Sequence, residues 1–208
     1  MFVIGLTGSV GMGKSTTARL FAEQGVPVHD ADAVVHRLYE GEAVADIEAA
    51  FPGTTANGKV DREKLARRVL NDPAALARLE GIVHPLVQAA EDELLAQTQA
   101  DGKDVVVLDI PLLFETGADK RVDAVVVVSA PAEEQRARAL ARPGMTAEKL
   151  AAVLAKQMPD NEKRRRADFV VDSSRGFDAA RAQVRAILKA IATMPKRRRD
   201  SAQPPAAG

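Results

Sequence analysis

Apolar residues along this chain fall into two rhythms. Five short runs, 3–7, 26–30, 105–111, 122–129 and 169–172, are rich in Val, Ile or Phe. Such continuous apolarity predicts strands buried on both faces, as in a parallel sheet. Between them apolar positions recur every three to four residues, the pattern of helices that cover a sheet. The prediction is an α/β fold, a doubly wound five-stranded parallel sheet.

Two stretches interrupt that regularity. The segment from Asp30 to Val105 is too long for one crossover and holds several helix-like stretches, which predicts an inserted helical subdomain over about 35–102. Asp61 is placed as an N-cap, Pro73 as a first helical residue, and Leu76, Leu79, Ile82 and Val83 share one apolar face. After Ser129, Pro131 opens an Arg-rich helix running to Arg142, Pro143-Gly144 breaks it, and Thr146 caps a helix bearing Leu150, Val153, Leu154 and Met158. This helical hairpin, about 131–166, has the proportions of a lid pivoting near Pro143-Gly144. A last amphipathic helix carries Phe177, Ala180, Val184, Ile187, Leu188 and Ile191 on the stripe that docks on the sheet. Residues 195–208, basic and then Pro/Ala-rich without apolar period, are expected to be a disordered, solvated tail.

The first strand runs directly into Gly8-Ser-Val-Gly11-Met-Gly13-Lys14-Ser15. The spacing G-x-x-x-x-G-K-[ST] between a strand and a helix is a phosphate-binding loop: its glycines let successive backbone N–H groups face phosphate oxygens. Lys14 then reaches the β and γ phosphates, and Ser15 is placed to ligate Mg²⁺ at the positive end of the following helix. Gly8, Gly11, Met12, Gly13, Lys14, Ser15 and Thr16 form the candidate nucleotide site.

Other candidates sit at the carboxyl ends of strands, where open parallel sheets bind ligands. Asp30 and Asp32 follow the second strand, one as a helix cap and Asp32 as the acceptor of a proton from an attacking hydroxyl. Asp109 ends the third strand either as a Walker B acid holding Mg²⁺ through water or as a buried hydrogen-bonding group. Arg138 and Arg142 lie four apart on the lid helix, hence on one face, and Arg142, at the hinge, is the better candidate to meet a transferring phosphoryl group. Lys163 to Arg166 either offset phosphate charge or face water.

Composition narrows the field. The 29 basic residues balance 29 acidic ones, so no bulk positive field draws the chain to nucleic acid or anionic lipid. Cysteine is absent, which excludes disulfides and thiolate zinc sites, and the three histidines are scattered. No signal-peptide pattern or membrane-length apolar run is present, and the expectation is a cytoplasmic protein acting on a small molecule. Oligomeric state is not readable.

Gly5-Leu-Thr-Gly8, the phosphate loop, Asp30-Ala-Asp32, His84-Pro85, Asp109-Ile-Pro-Leu-Leu-Phe-Glu115, Gln157-Met158 and Lys163 to Asp168 occur in this order, and together they resemble the dephospho-CoA kinase family. The likeness covers the chain from Phe2 to about Ile191. It implies one P-loop kinase domain over 1–194, with core segments at about 1–34, 103–130 and 167–194. The implied reaction moves the γ-phosphoryl group of ATP, with Mg²⁺, to the ribose 3′-hydroxyl of dephospho-CoA. By the same resemblance Asp32 is the base, Lys14 and Arg142 stabilise transferring charge, Ser15 ligates the metal, which Asp109 serves by its strand-end position, and His84, Pro111, Leu112, Leu113 and Glu115 line the acceptor site with Asp32. Two residues depart from the family pattern: Ser173 stands where an Asn usually follows the Asp near adenine, and His29 replaces an apolar residue. Another small-molecule kinase of this architecture, acting on a nucleoside monophosphate or a sugar acid, is the first rival reading. A nucleotide-gated regulatory protein is the second.

Overall fold

In the computed structural model of the chain, which describes residues 1–70 and 72–197, the first apolar run is strand β1, Phe2–Thr7, buried throughout. A glycine-rich turn leads into helix α1 (Lys14–Glu23), and the chain returns through β2 (Val28–Asp30). Helices α2 (Ala31–Leu38) and α3 (Val44–Ala50), a small antiparallel hairpin of β3 (Thr55–Ala56) and β4 (Lys59–Val60), and helices α4 (Arg62–Val69) and α5 (Pro73–Ala100) follow. Then come β5 (Val105–Asp109) and β6 (Ala124–Ser129), helices α6 (Ala132–Leu140), α7 (Ala147–Ala155) and α8 (Asp160–Arg166), strand β7 (Phe169–Asp172) and helix α9 (Phe177–Ile191).

The large sheet runs β2-β5-β1-β6-β7, with β1 parallel to both β5 and β6 and β6 parallel to β7. β1, β5 and β6 are interior strands, which is why their sequences do not alternate between apolar and polar. Ile4, Leu6, Val107, Val126, Val128 and Val171 pack with Leu20 and Phe21 of α1 and Val184, Ile187 and Ile191 of α9. Each fully buried aliphatic side chain there contributes about 1.5–3 kcal/mol. On β1, Gly5 leaves room for Leu113 and Val122, whose methyl groups would lie 3.1 Å from an added Cβ.

Two aspartates fix the alignment at the amino ends of the strands. Asp123 accepts from the N–H of Val3 at 2.8 Å while its own N–H donates to the Val3 carbonyl. Asp168 repeats the device one strand on, accepting from the N–H of Val125 at 2.7 Å and donating to its carbonyl. Arg197 joins both, its backbone N–H to Asp123 and its guanidinium to Asp168. This much of the predicted tail is tied down; 198–208 lie outside the described residues.

The chain divides into two compact units, one made of Met1–His29 with the described residues from Thr98 onward, the other of Asp30–Gln97. The second has its own core of Val34, Leu38, Ile47, Phe51, Leu65, Val69, Leu79 and Val83. Its helices begin where their caps are: Asp30 accepts from Ala33 N–H, Asp61 from Lys64 N–H, and Asp72 from Ala74 and Ala75 N–H just ahead of Pro73. Leu76 is exposed and not on the buried face, and α5 runs 28 residues through Pro85. The missing Pro85 N–H falls on Gly81, four residues back. Phe177 likewise sits outside the core, 40% exposed, with the Arg181 guanidinium 4.5 Å from its ring centre.

Candidate functional site

The phosphate loop after β1 opens with a glycine because the backbone passes close to β6: an added Cβ at Gly8 would lie 2.7 Å from the Val128 carbonyl oxygen. Gly11 is pressed the same way by α6, its hypothetical Cβ 2.5 Å from the Gln135 carbonyl, at a φ of +81° that disfavours side chains. α1 starts at Lys14, so the free N–H groups of its first turn, with Ser15 exposed and Thr16 half-buried, border the loop. The Met12 side chain is buried, leaving its backbone as the part that belongs to the loop surface.

Lys14 crosses from the loop to β5, its Nζ 2.5 Å from Asp109 Oδ1. Asp109 is 2% exposed in its side chain, so the carboxylate is a buried counter-ion at the carboxyl end of an interior strand. An ammonium beside a phosphate loop, held by a buried acid, is a preorganised point of positive charge for a phosphate chain.

The loop after β5 is fastened along its length. The Ile110 N–H donates to Leu6 O, Thr7 Oγ1 donates to the Pro111 carbonyl at 3.0 Å, and Glu115 receives Lys163 Nζ at 3.0 Å and the Met158 N–H at 2.6 Å. Lys163 is wholly buried and the Glu115 side chain is 18% exposed. Burial raises the Glu115 carboxyl, but the Met158 N–H and the Lys163 hydrogen bond and charge together outweigh it, and its pKa lies below the ordinary Glu value. Leu112 is exposed and Pro111 half-buried, whereas Leu113, expected on the acceptor surface, is 0% exposed and faces Gly5. An aliphatic side chain in that position supports the loop from beneath.

Helices α6 to α8 correspond to the predicted lid segment. Gln135 Nε2 donates to the Val10 carbonyl at 2.9 Å, and the Val10 N–H donates to Gln157 Oε1 at 3.3 Å, so the first and last parts of the segment grip one residue of the phosphate loop. Ser129 Oγ donates to Asp160 at the start of α8. Among the described residues, the hydrogen bonds of 140–156 stay within the hairpin, as in Lys149 Nζ to Gly144 O at 2.8 Å, and Arg142 is exposed there. α6 ends at Leu140, two residues short of Arg142, which therefore lies in the turn.

In the second unit, Asp32 is exposed in the first turn of α2 and makes no hydrogen bond or ion pair to the described residues. Asp30 caps the same helix. His84 is exposed on α5. Gln135 is a contributor that motif reading passes over, whereas Arg138 and Ser173, named from the sequence for other roles, are found bonded to each other. A buried polar position four residues before fully buried Ala139, both facing inward from α6, is the signal that marks Gln135.

The profile of the dephospho-CoA kinase family matches residues 2–179. The chain belongs to the dephospho-CoA kinase family. A dephospho-CoA kinase of Rhodopseudomonas palustris is 64% identical over 198 residues, 95% of this chain and all of the relative. A crystal structure from Thermus thermophilus is 38% identical with a TM-score of 0.83, covering 92% of this chain and 98% of that one. The structure of a dephospho-CoA kinase from Campylobacter jejuni, at 24% identity and a TM-score of 0.63 over 91% of this chain and 96% of its own, shares the fold. The chain is accordingly a kinase, a phosphotransferase of the family that catalyses the last step of coenzyme A biosynthesis, and such a kinase uses ATP. Among the described residues no helix is long and apolar enough to cross a membrane.

Proposed function

We propose that this kinase binds ATP on the loop of Gly8, Gly11, Met12, Gly13, Lys14, Ser15 and Thr16 and phosphorylates the 3′-hydroxyl of the dephospho-CoA ribose in the cytoplasm. The observation that carries the assignment of the phosphate site is the Lys14 ammonium held against buried Asp109 beside the loop. Asp32 accepts the proton of the 3′-hydroxyl as its oxygen bonds to the γ-phosphorus; the bond from phosphorus to the β–γ bridging oxygen breaks, and ADP leaves. In support, the carboxylate is exposed and uncommitted two residues past the end of β2. Lys14 and Arg142 stabilise the charge on the transferring group, Arg142 from an exposed turn whose hydrogen bonds run within its own hairpin.

The oxygens of Ser15 and Asp109 are hard donors of the kind Mg²⁺ takes alongside phosphates and water, so the residues fit that ion. Ser15 would hold it by its hydroxyl and Asp109 through water, its Oδ1 being engaged by Lys14. Mg²⁺, when bound, neutralises charge on the β and γ phosphates. The family resemblance assigns Pro111, Leu112, His84 and Asp32 to acceptor binding. Glu115 positions that loop through Lys163 and Met158, and Leu113 supports it.

The direct test couples ADP release to a detectable signal with purified protein, Mg-ATP and dephospho-CoA. Turnover is expected with this acceptor and not with nucleoside monophosphates, shikimate or gluconate. Folded protein that binds ATP yet leaves dephospho-CoA untouched would remove the proposal.

A further inference from the structure

A phosphate loop binds through its backbone, so whatever holds that backbone in shape bears on binding. Gly11 and Gly13, at φ +81° and +90°, flank Met12 with backbone that only glycine adopts readily. Met12 itself is gripped from three sides: its N–H donates to Ser9 O at 3.1 Å, its Sδ accepts from Ala130 N–H at 3.1 Å, and its carbonyl accepts from Ser173 Oγ at 2.7 Å. Ser173 also lies against Gly13, its Cβ and Oγ each 3.1 Å from where a Gly13 Cβ would be.

The hydroxyl of Ser173 has a second partner, Arg138 Nη1 at 2.8 Å, while Arg138 Nη2 donates to the Ser173 carbonyl at 3.1 Å and to Glu134 at 2.6 Å. The direction of these bonds is unambiguous. A carbonyl only accepts and a guanidinium only donates, so the single hydroxyl proton points to Met12 and a lone pair faces Arg138. Glu134 and Arg138 of α6, Ser173 after β7, and Met12 in the loop thus form one polar chain. It ends on the peptide that carries the Gly13 N–H.

We propose that Ser173 is a positioning residue of the phosphate loop, set by Arg138 and acting through the Met12 carbonyl on the triphosphate and not on the base. The proposal rests on the reading that this loop binds ATP. It gives Ser173 a task different from the recognition of adenine implied by its place in the family pattern.

The test is calorimetric titration of the full chain, wild type and Ser173→Ala, with ATP, GTP and inorganic tripolyphosphate, alongside melting temperatures without ligand. Loss of one hydrogen bond that preorganises the loop should weaken all three ligands by a similar factor, about three- to tenfold. Arg138→Ala should weaken tripolyphosphate too, and the double variant should bind it about as Ser173→Ala does, because the arginine acts through the serine. Additive losses of tripolyphosphate affinity would overturn the relay. A lowered melting temperature with unchanged tripolyphosphate affinity would make Ser173 merely structural, and a loss confined to ATP would make it a reader of the base; either result overturns the proposal. Wild-type protein that binds no triphosphate at all overturns the phosphate-loop reading along with it.

Discussion

Replacing Glu115 with Gln removes the charge that accompanies a wholly buried ammonium. Lys163 Nζ has two oxygen acceptors at hand, Glu115 Oε1 at 3.0 Å and the Pro111 carbonyl at 3.5 Å, and only the first is charged. Breaking a fully buried ion pair from one side costs about 3–5 kcal/mol, because the surviving charge cannot reach water. Here the glutamate side chain is 18% exposed and the amide oxygen of Gln can still accept a bond. The discounted expectation for Glu115→Gln is about 2–3 kcal/mol. Lys163→Met should cost less, about 1 kcal/mol, since the remaining carboxylate keeps the Met158 N–H and its own access to water. The double variant should recover part of the larger loss, giving a coupling of about 1–2 kcal/mol.

Urea unfolding followed by circular dichroism at pH 7 measures all three. Acid adds a second reading. Although burial raises the Glu115 carboxyl, the Met158 N–H and Lys163 lower it further, so the native state favours the ionised form. Its contribution is therefore complete above the unfolded value of about 4.3, and is lost as pH falls through the lower folded value. The stability gap between wild type and Glu115→Gln should hold steady from neutrality to about pH 5 and close in stronger acid. Equal and small costs for the two single variants, or a gap that widens in acid, would refute the reasoning.

Asp32→Asn should leave ATP affinity intact and lower turnover by about a hundredfold or more, as expected of a positioned proton acceptor; comparing kcat with the ATP dissociation constant checks it, and near-normal kcat would strip Asp32 of that role. Arg142→Ala should reduce kcat more than ATP binding, because its charge is used on the transferring group, and steady-state kinetics beside equilibrium titration would show a clamp if binding alone suffered. Gly8→Ala should destabilise by about 1–3 kcal/mol and impair ATP binding, since the new methyl meets the Val128 carbonyl at 2.7 Å, and thermal melts with and without ATP measure both effects.

The strands and the phosphate loop were legible because they rest on local patterns: unbroken apolar runs, fixed glycine spacing, and aspartates ahead of α2 and α4. What escaped reading depends on partners far away in the chain. Lys163 sits among three arginines and looks solvated until Glu115, 48 positions earlier, is found beside it. Leu113 and Leu112 are adjacent and alike, yet one faces Gly5 and the other water, a choice made by the turn and invisible to composition. The length of α5 was hidden for the opposite reason: a proline usually signals a break, and Pro85 is carried inside a helix long enough to absorb it. Among the catalytic candidates, Lys14 and Asp109 form an observed pair, whereas the roles of Asp32, His84 and Arg142 rest on the family resemblance and on exposure.

Asp123 and Asp168 act at the amino ends of β1, β6 and β7, the margin of the sheet away from the phosphate loop. A strand that slides by one position would turn every inward side chain outward, so these two carboxylates hold the whole weave in register. With alignment secured at that margin, the turns at the other margin are at liberty to diverge, and new acceptor chemistry can arise there without unpicking the sheet.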